Sequence, residues 1–352
     1  MNRNRLKSIC DLGGVSGFED DVVFYLQDQL KEVGQTHIDS MLNLYVHRNE
    51  NTDDKPFVML DAHTDEVGFM VRYIRPNGLI EFTPIGGWIT TNIPAHQVLI
   101  RTLDGSYVTG IVGSKPPHYV SESERNQAPS IENLYIDIGL SSREEVLERG
   151  IEVGNPIVPK AELEFKENEI IFGKAFDDRL GCVAIVEVLE ALKGESLATN
   201  PVGVFSSQEE VGLRGAEVAA NTLQPDLAIC FEGTPADDTF ETPDRQQTVV
   251  GKGPMLRYID SKMITNPRFQ RFAIETAAKY KIPIQTAVRT GGATNAGAIH
   301  LTGGGVPTIV IGVPVRYAHT HYSVASVADL EAAIALGIAI VKDLNQEIID
   351  TF

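Results

Sequence analysis

Two adjacent acidic residues, Glu209 and Glu210, follow an apolar run at residues 202–205. A run of this kind predicts a short buried strand, so both carboxylates are expected at a strand end. Like charges at such close range repel each other unless a positive group lies nearby. A divalent cation would relieve this repulsion, with one carboxylate as its ligand and the other free to act as a base. The alternative is a solvated loop that carries two surface acids.

A histidine and an aspartate, His63 and Asp65, lie just after a strand predicted at residues 56–61. Alternate residues of a strand face the same side, so His63 could bind a metal while Asp65 orients the ligand or the base. A hydrogen-bonded loop pair is the alternative. Glu232 follows the continuous apolar strand 227–231, a type found in parallel sheets, where ligands gather beyond the carboxyl ends.

Two more aspartates, Asp177 and Asp178, precede an apolar helix predicted at residues 182–192. Acidic residues at a helix start are ordinary N-terminal caps, which is one interpretation. In the other interpretation, Asp177 bridges two metal ions while Asp178 and Arg179 fix its geometry.

Two histidines, His319 and His321, follow the strand predicted at residues 307–313, either as ligands or as surface loop residues. Each of these signals is weak alone, but their joint order along the chain favours one shared metal site. Imidazole and carboxylate ligands suit zinc, cobalt or manganese. Because no thiolate joins them, a closed structural zinc site is not expected.

The elements that must position these residues differ between the ends and the middle of the chain. Helical periodicity and apolar strands occupy both ends, whereas short β-rich runs with Gly and Pro fill the region between. We therefore expect an α/β domain built from residues 1–70 and 162–352, with a β-rich domain inserted at residues 71–161. His96 and His118, inside the insertion, are expected to be structural or interface residues.

The composition bounds the partners of the protein. The 352 residues carry a formal net charge of -18, which disfavours nucleic acid or an anionic membrane as a partner. Without an apolar run long enough to span a bilayer, we expect a cytoplasmic protein.

Ser16 is expected to cap the second N-terminal helix, with Glu19 three residues on. Three widely spaced cysteines imply no disulfide framework and are expected to be small buried hydrophobes: Cys10, Cys182 and Cys230.

The chain resembles the M42 metallo-aminopeptidases, the group of tetrahedral and glutamyl aminopeptidases, over nearly its whole length. The resemblance rests on six motifs in a fixed order, which are Ser-Gly-Phe-Glu at 16–19, Ala-His-Thr-Asp-Glu at 62–66, Lys-Pro-Pro-His at 115–118, Phe-Asp-Asp-Arg at 176–179, Gln-Glu-Glu-Val-Gly at 208–212 and Arg-Tyr-Ala-His at 316–319. It implies a mixed α/β sheet flanked by helices, and an inserted β-rich domain that serves dimerisation or substrate access.

The resemblance also implies two divalent metal ions per subunit, zinc or cobalt, with manganese as a further option. Their implied ligands form two sets: His63, Asp177 and Glu232, and Asp177, Glu210 and His319. Asp177 is the implied bridge, Glu209 the implied general base and Asp65 the implied support of His63. His319 rather than His321 matches the Arg-Tyr-x-His pattern. Family members often carry Asp where this chain has Glu232 and Asn295, the latter expected near the substrate region.

The implied activity is removal of N-terminal residues from peptides, through metal-bound water and the Glu209 base. The resemblance also implies a homo-oligomer, from a dimer to a tetrahedral dodecamer. Three alternatives stay open: an N-acyl deblocking hydrolase, a glycosidase on the same scaffold, and a non-catalytic metal-binding scaffold. An intact Glu209 argues against the last, because a protein that only holds metal needs no base.

Overall fold

The computed structural model describes residues 1–52, 54–122 and 127–352. Its strands, in chain order, are β1 (Gly34–Ile38), β2 (Leu44–Arg48), β3 (Phe57–His63), β4 (Gly68–Ile74), β5 (Ile80–Ile85), β6 (Gln97–Arg101), β7 (Tyr107–Gly113), β8 (Tyr135–Asp137), β9 (Pro156–Pro159), β10 (Glu164–Phe165), β11 (Ile170–Gly173), β12 (Asn200–Ser206), β13 (Leu227–Pro235), β14 (Met255–Ile259), β15 (Gln285–Val288), β16 (Thr308–Val315) and β17 (Ser323–Ser326). Its α-helices are α1 (Arg3–Asp11), α2 (Asp20–Leu30), α3 (Arg143–Glu148), α4 (Phe176–Ala191), α5 (Arg214–Leu223), α6 (Pro267–Tyr280), α7 (Ala296–Ile299), α8 (Val327–Asp343) and α9 (Gln346–Ile349).

A mixed sheet carries the candidate residues, with the strand order β1-β2-β12-β3-β13-β16-β14-β15. The strands β12, β3, β13 and β16 run parallel to one another at its centre. Antiparallel pairs lie on either side of them, between β2 and β12 and between β14 and β16. Because the central strands share one direction, their carboxyl ends meet at one edge, which is where ligands bind in open α/β sheets.

Helices cover both faces of this sheet. Along β3, Val58 and Leu60 pack into one core layer, and Met59 packs into the layer on the opposite face, as the two-residue period of a strand requires. The first layer is completed by α1, α2, α4, α6 and α8, and the second by α5 and α7. Twelve of the sixteen residues of α4 are buried, so this helix is largely enclosed by the sheet and by its neighbouring helices.

The strands between β3 and β10 form a separate closed barrel, in the order β4-β5-β8-β7-β6-β9. The barrel has its own apolar core, which includes Phe69, Ile80, Val98 and Ile157. Closure removes the free sheet edges that would otherwise be exposed to other chains. The predicted fold class, a helix-flanked mixed sheet with an inserted β-rich domain, is confirmed. Among the described residues, none of the helices combines the length and the apolarity needed to cross a bilayer.

Candidate metal centre

The five predicted metal ligands come together at the carboxyl edge of the parallel strands. His63 ends β3, Glu210 follows β12, and Glu232 lies in β13. Asp177 lies at the start of α4, where its backbone angles are not helical, and His319 follows β16. Each ligand therefore comes from a different element. The fold brings them together although they are distant in sequence.

Asp177 occupies the centre of the cluster. Its Oδ1 lies 3.2 Å from His63 Nε2, and its Oδ2 lies 3.4 Å from His319 Nε2. One carboxylate thus faces two imidazoles through two different oxygens. This is the arrangement expected of a carboxylate that bridges two cations.

Two glutamates complete the two halves of the cluster. Glu232 Oε1 lies 3.5 Å from His63 Nε2, and Glu210 Oε1 lies 3.2 Å from His319 Nε2. The extra methylene of Glu232, relative to the Asp of many family members, still lets its carboxylate reach the imidazole. The contacts of each half correspond to one predicted ligand set. The ligand atoms that lie within 4.8 Å of one another, however, group His63 with Asp177 and Glu210, and His63 with Asp178 and Glu232. The metal-binding role of these residues stays a prediction.

Asp178 is also close to the cluster but is engaged with the backbone. Its Oδ2 accepts the N–H of His63 at 3.1 Å, and its Oδ1 accepts the N–H of Gly181 at 3.0 Å. Arg179 donates to the carbonyl oxygens of Thr64 and Ile9. These contacts tie the start of α4 to the end of β3 and so fix the position of His63 relative to Asp177.

Asp65 connects the two loops that carry the cluster. His63 Nδ1 lies 3.1 Å from the backbone carbonyl oxygen of Asp65, its hydrogen-bond partner, and 3.3 Å from Asp65 Oδ1. Asp65 Oδ1 also accepts the N–H of Glu209 at 2.9 Å. Its Oδ2 accepts the N–H of Glu210 at 3.1 Å and the hydroxyl of Ser16 at 2.5 Å. A carboxylate on the far side of a ligating imidazole fixes its tautomer and orientation. Asp65 therefore has the contacts that its predicted supporting role requires.

Electrostatics show why the donor set fits cations. Burial and the neighbouring carboxylate of Glu232 raise the pKa of Glu209 well above its usual value. Burial and the charge of Asp177 raise the pKa of Glu232 to about 8. Burial also disfavours the charged form of Asp177, but hydrogen bonds from His319 and His63 lower its pKa below the usual value. Buried acids of this kind are stabilised in the ionised form by nearby positive charge, which divalent cations would supply.

Ser16 and Glu19 have contacts that the sequence did not predict. Ser16 does not cap α2, because its hydroxyl is bonded to Asp65. Glu19 is buried, and its Oε1 accepts the N–H groups of Gly17 at 2.9 Å and Gln208 at 3.0 Å. The predicted cap was wrong because both side chains support the loop after β12 instead. The motif at 16–19 was the available signal, but spacing alone assigned it to a helix start.

Asn295 lies between residues that line the cavity, Ala293 and Gly297. Its own side chain is buried, and its Nδ2 donates to Asp61 Oδ2 at 2.8 Å and to Ser206 Oγ at 2.7 Å. The side chain therefore links β3 and β12. Its expected position near the substrate region stays a prediction.

A cavity of about 1120 Å³ opens beside the cluster and is lined by Glu209 among others. Three basic residues line it: Arg257, Lys262 and Arg289. Arg257 is paired with Asp260 and Arg289 with Asp237.

The remaining histidines do not face the carboxylates. His321 is buried and stacks on His96, with ring centroids 4.1 Å apart. His118 is exposed on the inserted barrel. The structure thus separates His319, which meets the carboxylates, from His321, which packs against the barrel.

A mixed α/β sheet with imidazoles and carboxylates at the ends of its parallel strands is a site that suits divalent cations. Residues 43–336 match the family model described as M42 glutamyl aminopeptidase, and the chain belongs to this family. It is 35% identical to the putative aminopeptidase FrvX of Escherichia coli, covering 100% of this chain and 98% of the relative. It is 34% identical to the glutamyl aminopeptidase of Lactococcus lactis (98% and 97% covered) and 34% identical to the lysyl aminopeptidase of Pyrococcus furiosus (97% and 96%).

Solved structures agree with this assignment. A TET aminopeptidase from a marine-sediment Thaumarchaeota archaeon superposes with a TM-score of 0.95 at 35% identity, covering 99% of this chain and 98% of the other. The TET1 peptidase of Pyrococcus horikoshii is described as assembling into a tetrahedron or a large octahedral shell. Its TM-score is 0.87 at 28% identity, covering 97% of this chain and 99% of the other. A Thermotoga maritima structure named as an endoglucanase has a TM-score of 0.78 at 28% identity, covering 98% of this chain and 98% of the other. The predicted family and the predicted enzyme class, that of the aminopeptidases, are confirmed.

Proposed function

We propose that the protein is a two-metal aminopeptidase that removes N-terminal residues from peptides. The observation that carries the proposal is the position of Asp177, whose two oxygens face His63 and His319 separately. Membership of a peptidase family supports it. The proposed ligands are His63, Asp177 and Glu232 for one ion, and Asp177, Glu210 and His319 for the other. The donor set suits zinc or cobalt, with manganese as a further option.

The ions, when bound, would supply Lewis acidity toward a peptide carbonyl and would lower the pKa of water. Glu209 would take the proton from the attacking water and return it to the leaving amine. Burial raises the pKa of Glu209 above the usual carboxylate value, which favours a group that must both accept and release a proton. Asp65 would hold the Glu209 backbone and the His63 ring in register for this transfer.

A free amino terminus fits the site that this proposal describes. With cations bound by Glu210 and Glu232, the charge of these two carboxylates would be offset, and an amine in its neutral form could bind one of the ions. Glu209, which is not a proposed ligand, lines the same cavity and would attract an α-ammonium group. Either contact would place the first residue of a peptide beside the cluster, which would confine cleavage to the first peptide bond.

We further propose a homo-oligomer, from a dimer to a tetrahedral dodecamer, because a structural neighbour is described as such an assembly. The barrel within residues 71–161 would serve dimerisation or substrate access, and residues 1–70 and 162–352 would form the catalytic domain. Peptides are the proposed partners. The net charge of -18 argues against nucleic acid and anionic membranes.

The test is Glu209→Gln, compared with Glu217→Gln, which alters another cavity-lining glutamate outside the cluster. Glu209→Gln should retain its metal content by elemental analysis. It should lose about 10²- to 10⁴-fold in kcat on aminoacyl-p-nitroanilides assayed with cobalt, zinc or manganese. Glu217→Gln should stay close to the unmodified enzyme. Hydrolysis by Glu209→Gln at the unmodified rate would remove Glu209 from this role.

A second candidate, glycoside hydrolysis, is favoured by one observation, the similarity to a structure named as an endoglucanase. A glycosidase uses two carboxylates that flank a sugar bond. Three substrates separate the candidates. Carboxymethyl cellulose tests the glycosidase, N-acetylated peptides test the deblocking hydrolase, and peptides with a free amino terminus test the aminopeptidase. Turnover of cellulose that a chelator leaves unchanged would favour the glycosidase.

A further inference from the structure

The loop that follows β5 of the barrel lies directly against the proposed metal ligands. A Cβ atom at Gly86, where φ is +77°, would lie 3.3 Å from Glu210 Oε2. A Cβ atom at Gly87 would lie 3.2 Å from His319 Nδ1. Glycine permits this close approach of backbone to side chain. The barrel therefore contacts the half of the cluster that contains Glu210 and His319.

The contact with His319 is a hydrogen bond. His319 Nδ1 lies 3.0 Å from the carbonyl oxygen of Gly87. A carbonyl can only accept, so Nδ1 carries the proton and Nε2 is left free to face Asp177 and Glu210. The partner of the second ring nitrogen fixes the tautomer and the orientation of a ligating histidine. For His63 that partner is Asp65, and for His319 it is the barrel backbone.

Trp88 fixes this loop to the barrel. Its Nε1 donates to the carbonyl oxygen of Gly68 at 3.1 Å. Its ring stacks on Phe69, with centroids 4.7 Å apart. Gly68 and Phe69 begin β4, so Trp88 ties the Gly87 carbonyl to a paired strand of the closed barrel.

The loop that carries His319 is held by the same barrel. His321 is 1% exposed, and neither of its ring nitrogens has a hydrogen-bond partner among the described residues. Its ring stacks on His96 and lies edge-on to Trp88 at 5.4 Å. Packing rather than hydrogen bonding thus anchors this loop two residues beyond His319.

We propose that Gly87, Trp88, His96 and His321, here called the barrel clamp, form a positioning unit for the His319 imidazole. The clamp sets the affinity of one of the two ion sites, the one built from Asp177, Glu210 and His319. The inference rests on the proposed function for the identity of the sites. It gives the inserted barrel a role inside the catalytic centre of its own chain, in addition to any role in assembly.

The first test is Gly87→Ala in the full chain, with Gly304→Ala as the matched control. The added methyl group at position 87 would push the His319 ring, whereas a Cβ at Gly304 meets no atom within 4 Å. Co²⁺ is titrated into the metal-free protein, and binding is followed by the visible absorption of the ion and by chelator competition. Gly87→Ala should weaken one of two binding steps by about 10- to 100-fold and leave the other within about twofold. Gly304→Ala should change neither step.

The second test compares Trp88→Ala with Trp88→Phe. Phe keeps an aromatic ring against Phe69 but loses the bond to Gly68 and part of the indole surface that meets Phe69 and His321, so it should restore part of the Co²⁺ affinity that Ala loses. Urea unfolding of each variant checks that the fold persists. Weakening of one Co²⁺ step with rescue by Phe supports the clamp. The clamp is overturned if a variant weakens both Co²⁺-binding steps equally. It is also overturned if neither Gly87→Ala nor Trp88→Ala weakens a step.

The same measurements separate this inference from the proposed function. A protein that binds two Co²⁺ ions but cleaves no aminoacyl-p-nitroanilide would contradict the aminopeptidase proposal. The Co²⁺ affinities of the Gly87 and Trp88 variants would still test the clamp in that case. An active enzyme whose variants bind Co²⁺ normally would keep the function and lose the clamp. A protein without Co²⁺ binding would overturn both.

Discussion

Asp65 Oδ1 accepts the backbone N–H of Glu209 at 2.9 Å, which joins the end of β3 to the loop after β12. The same carboxylate faces His63 and accepts the next N–H, that of Glu210. One buried side chain thus sets the distance between a proposed base and the proposed ligands on either side of it. Its geometry predicts that a small change at Asp65 disturbs several functional groups together.

Asp65→Asn tests this prediction. The carboxamide has one acceptor oxygen, so one of the N–H groups of Glu209 and Glu210 would face an NH₂ group. We expect kcat to fall about 10- to 100-fold and the free energy of unfolding to fall by about 1–3 kcal/mol. Steady-state kinetics and urea unfolding measure the two effects. Glu148→Gln, which removes an exposed charge at the end of α3, is the control, and unaltered kinetics in Asp65→Asn would contradict the role.

Glu19 predicts a pH dependence of stability. Burial, with a further contribution from Asp65, raises its pKa to about 7, above its unfolded-state value of 4.5. The protonated form therefore contributes stability that is fully present below the unfolded-state value and is lost as the pH rises through about 7. The shift corresponds to about 3 kcal/mol.

Glu19→Gln removes this titration and keeps an acceptor oxygen for Gly17 and Gln208. Its free energy of unfolding, relative to the unmodified protein, should rise by about 2–3 kcal/mol between about pH 5 and about pH 8. Urea unfolding at both pH values measures it, with the exposed Glu32→Gln as control. A difference that does not vary with pH would show that Glu19 is already ionised in the folded protein at about pH 5.

Asn295→Asp would place a second carboxylate against Asp61, because Nδ2 of Asn295 now lies 2.8 Å from Asp61 Oδ2. Like charges at this distance cannot both ionise cheaply in a buried site. We expect a loss of unfolding free energy of about 1–3 kcal/mol that grows from about pH 5 to about pH 8. Asn295→Ala removes a donor that lowers the pKa of Asp61 but adds no charge, so its loss should grow less over the same pH range. The same pH-independent loss in both variants would contradict the charge argument.

Local pattern was enough to predict the elements that carry the site. The predicted strands 202–205 and 227–231 lie inside β12 and β13, and the helix predicted at 182–192 coincides with the second half of α4. These segments are strongly apolar or strongly periodic, so burial decides their structure. The candidate residues came from the same segments, because strand ends in an α/β sheet are where polar side chains gather.

The contacts around the site depended on long-range pairing that no local pattern specifies. The strand β3 lies between β12 and β13 in the sheet, although more than a hundred residues separate it from each of them along the chain. The pairing of β3 with β12 places Asp61 beside Ser206, and Asn295 bonds to both. A bridge between Val15 and Glu66 brings Ser16 to Asp65. The spacing of Ser16 and Glu19 suited a helix cap equally well, and only tertiary structure decides between the two roles.

Lys262 leads to a prediction about substrate charge. It lines the cavity, is exposed, and its ammonium group makes no ion pair within the described part of the chain, unlike Arg257 and Arg289. An unpaired cation there attracts acidic substrate side chains. Lys262→Glu should therefore lower the ratio of kcat/KM for glutamyl-p-nitroanilide to that for leucyl-p-nitroanilide by about tenfold, which corresponds to about 1.4 kcal/mol.

The control for the charge reversal at Lys262 is Lys252→Glu. It changes the net charge by the same amount as Lys262→Glu, at an exposed position outside the cavity lining. If the whole acidic surface governed selectivity, both variants would shift the ratio alike. If the local field of the cavity governs it, only Lys262→Glu should do so, and raising the ionic strength should reduce the shift because salt screens exposed charges. Equal ratios in Lys262→Glu and in the unmodified enzyme would show that the first substrate side chain lies outside the reach of Lys262.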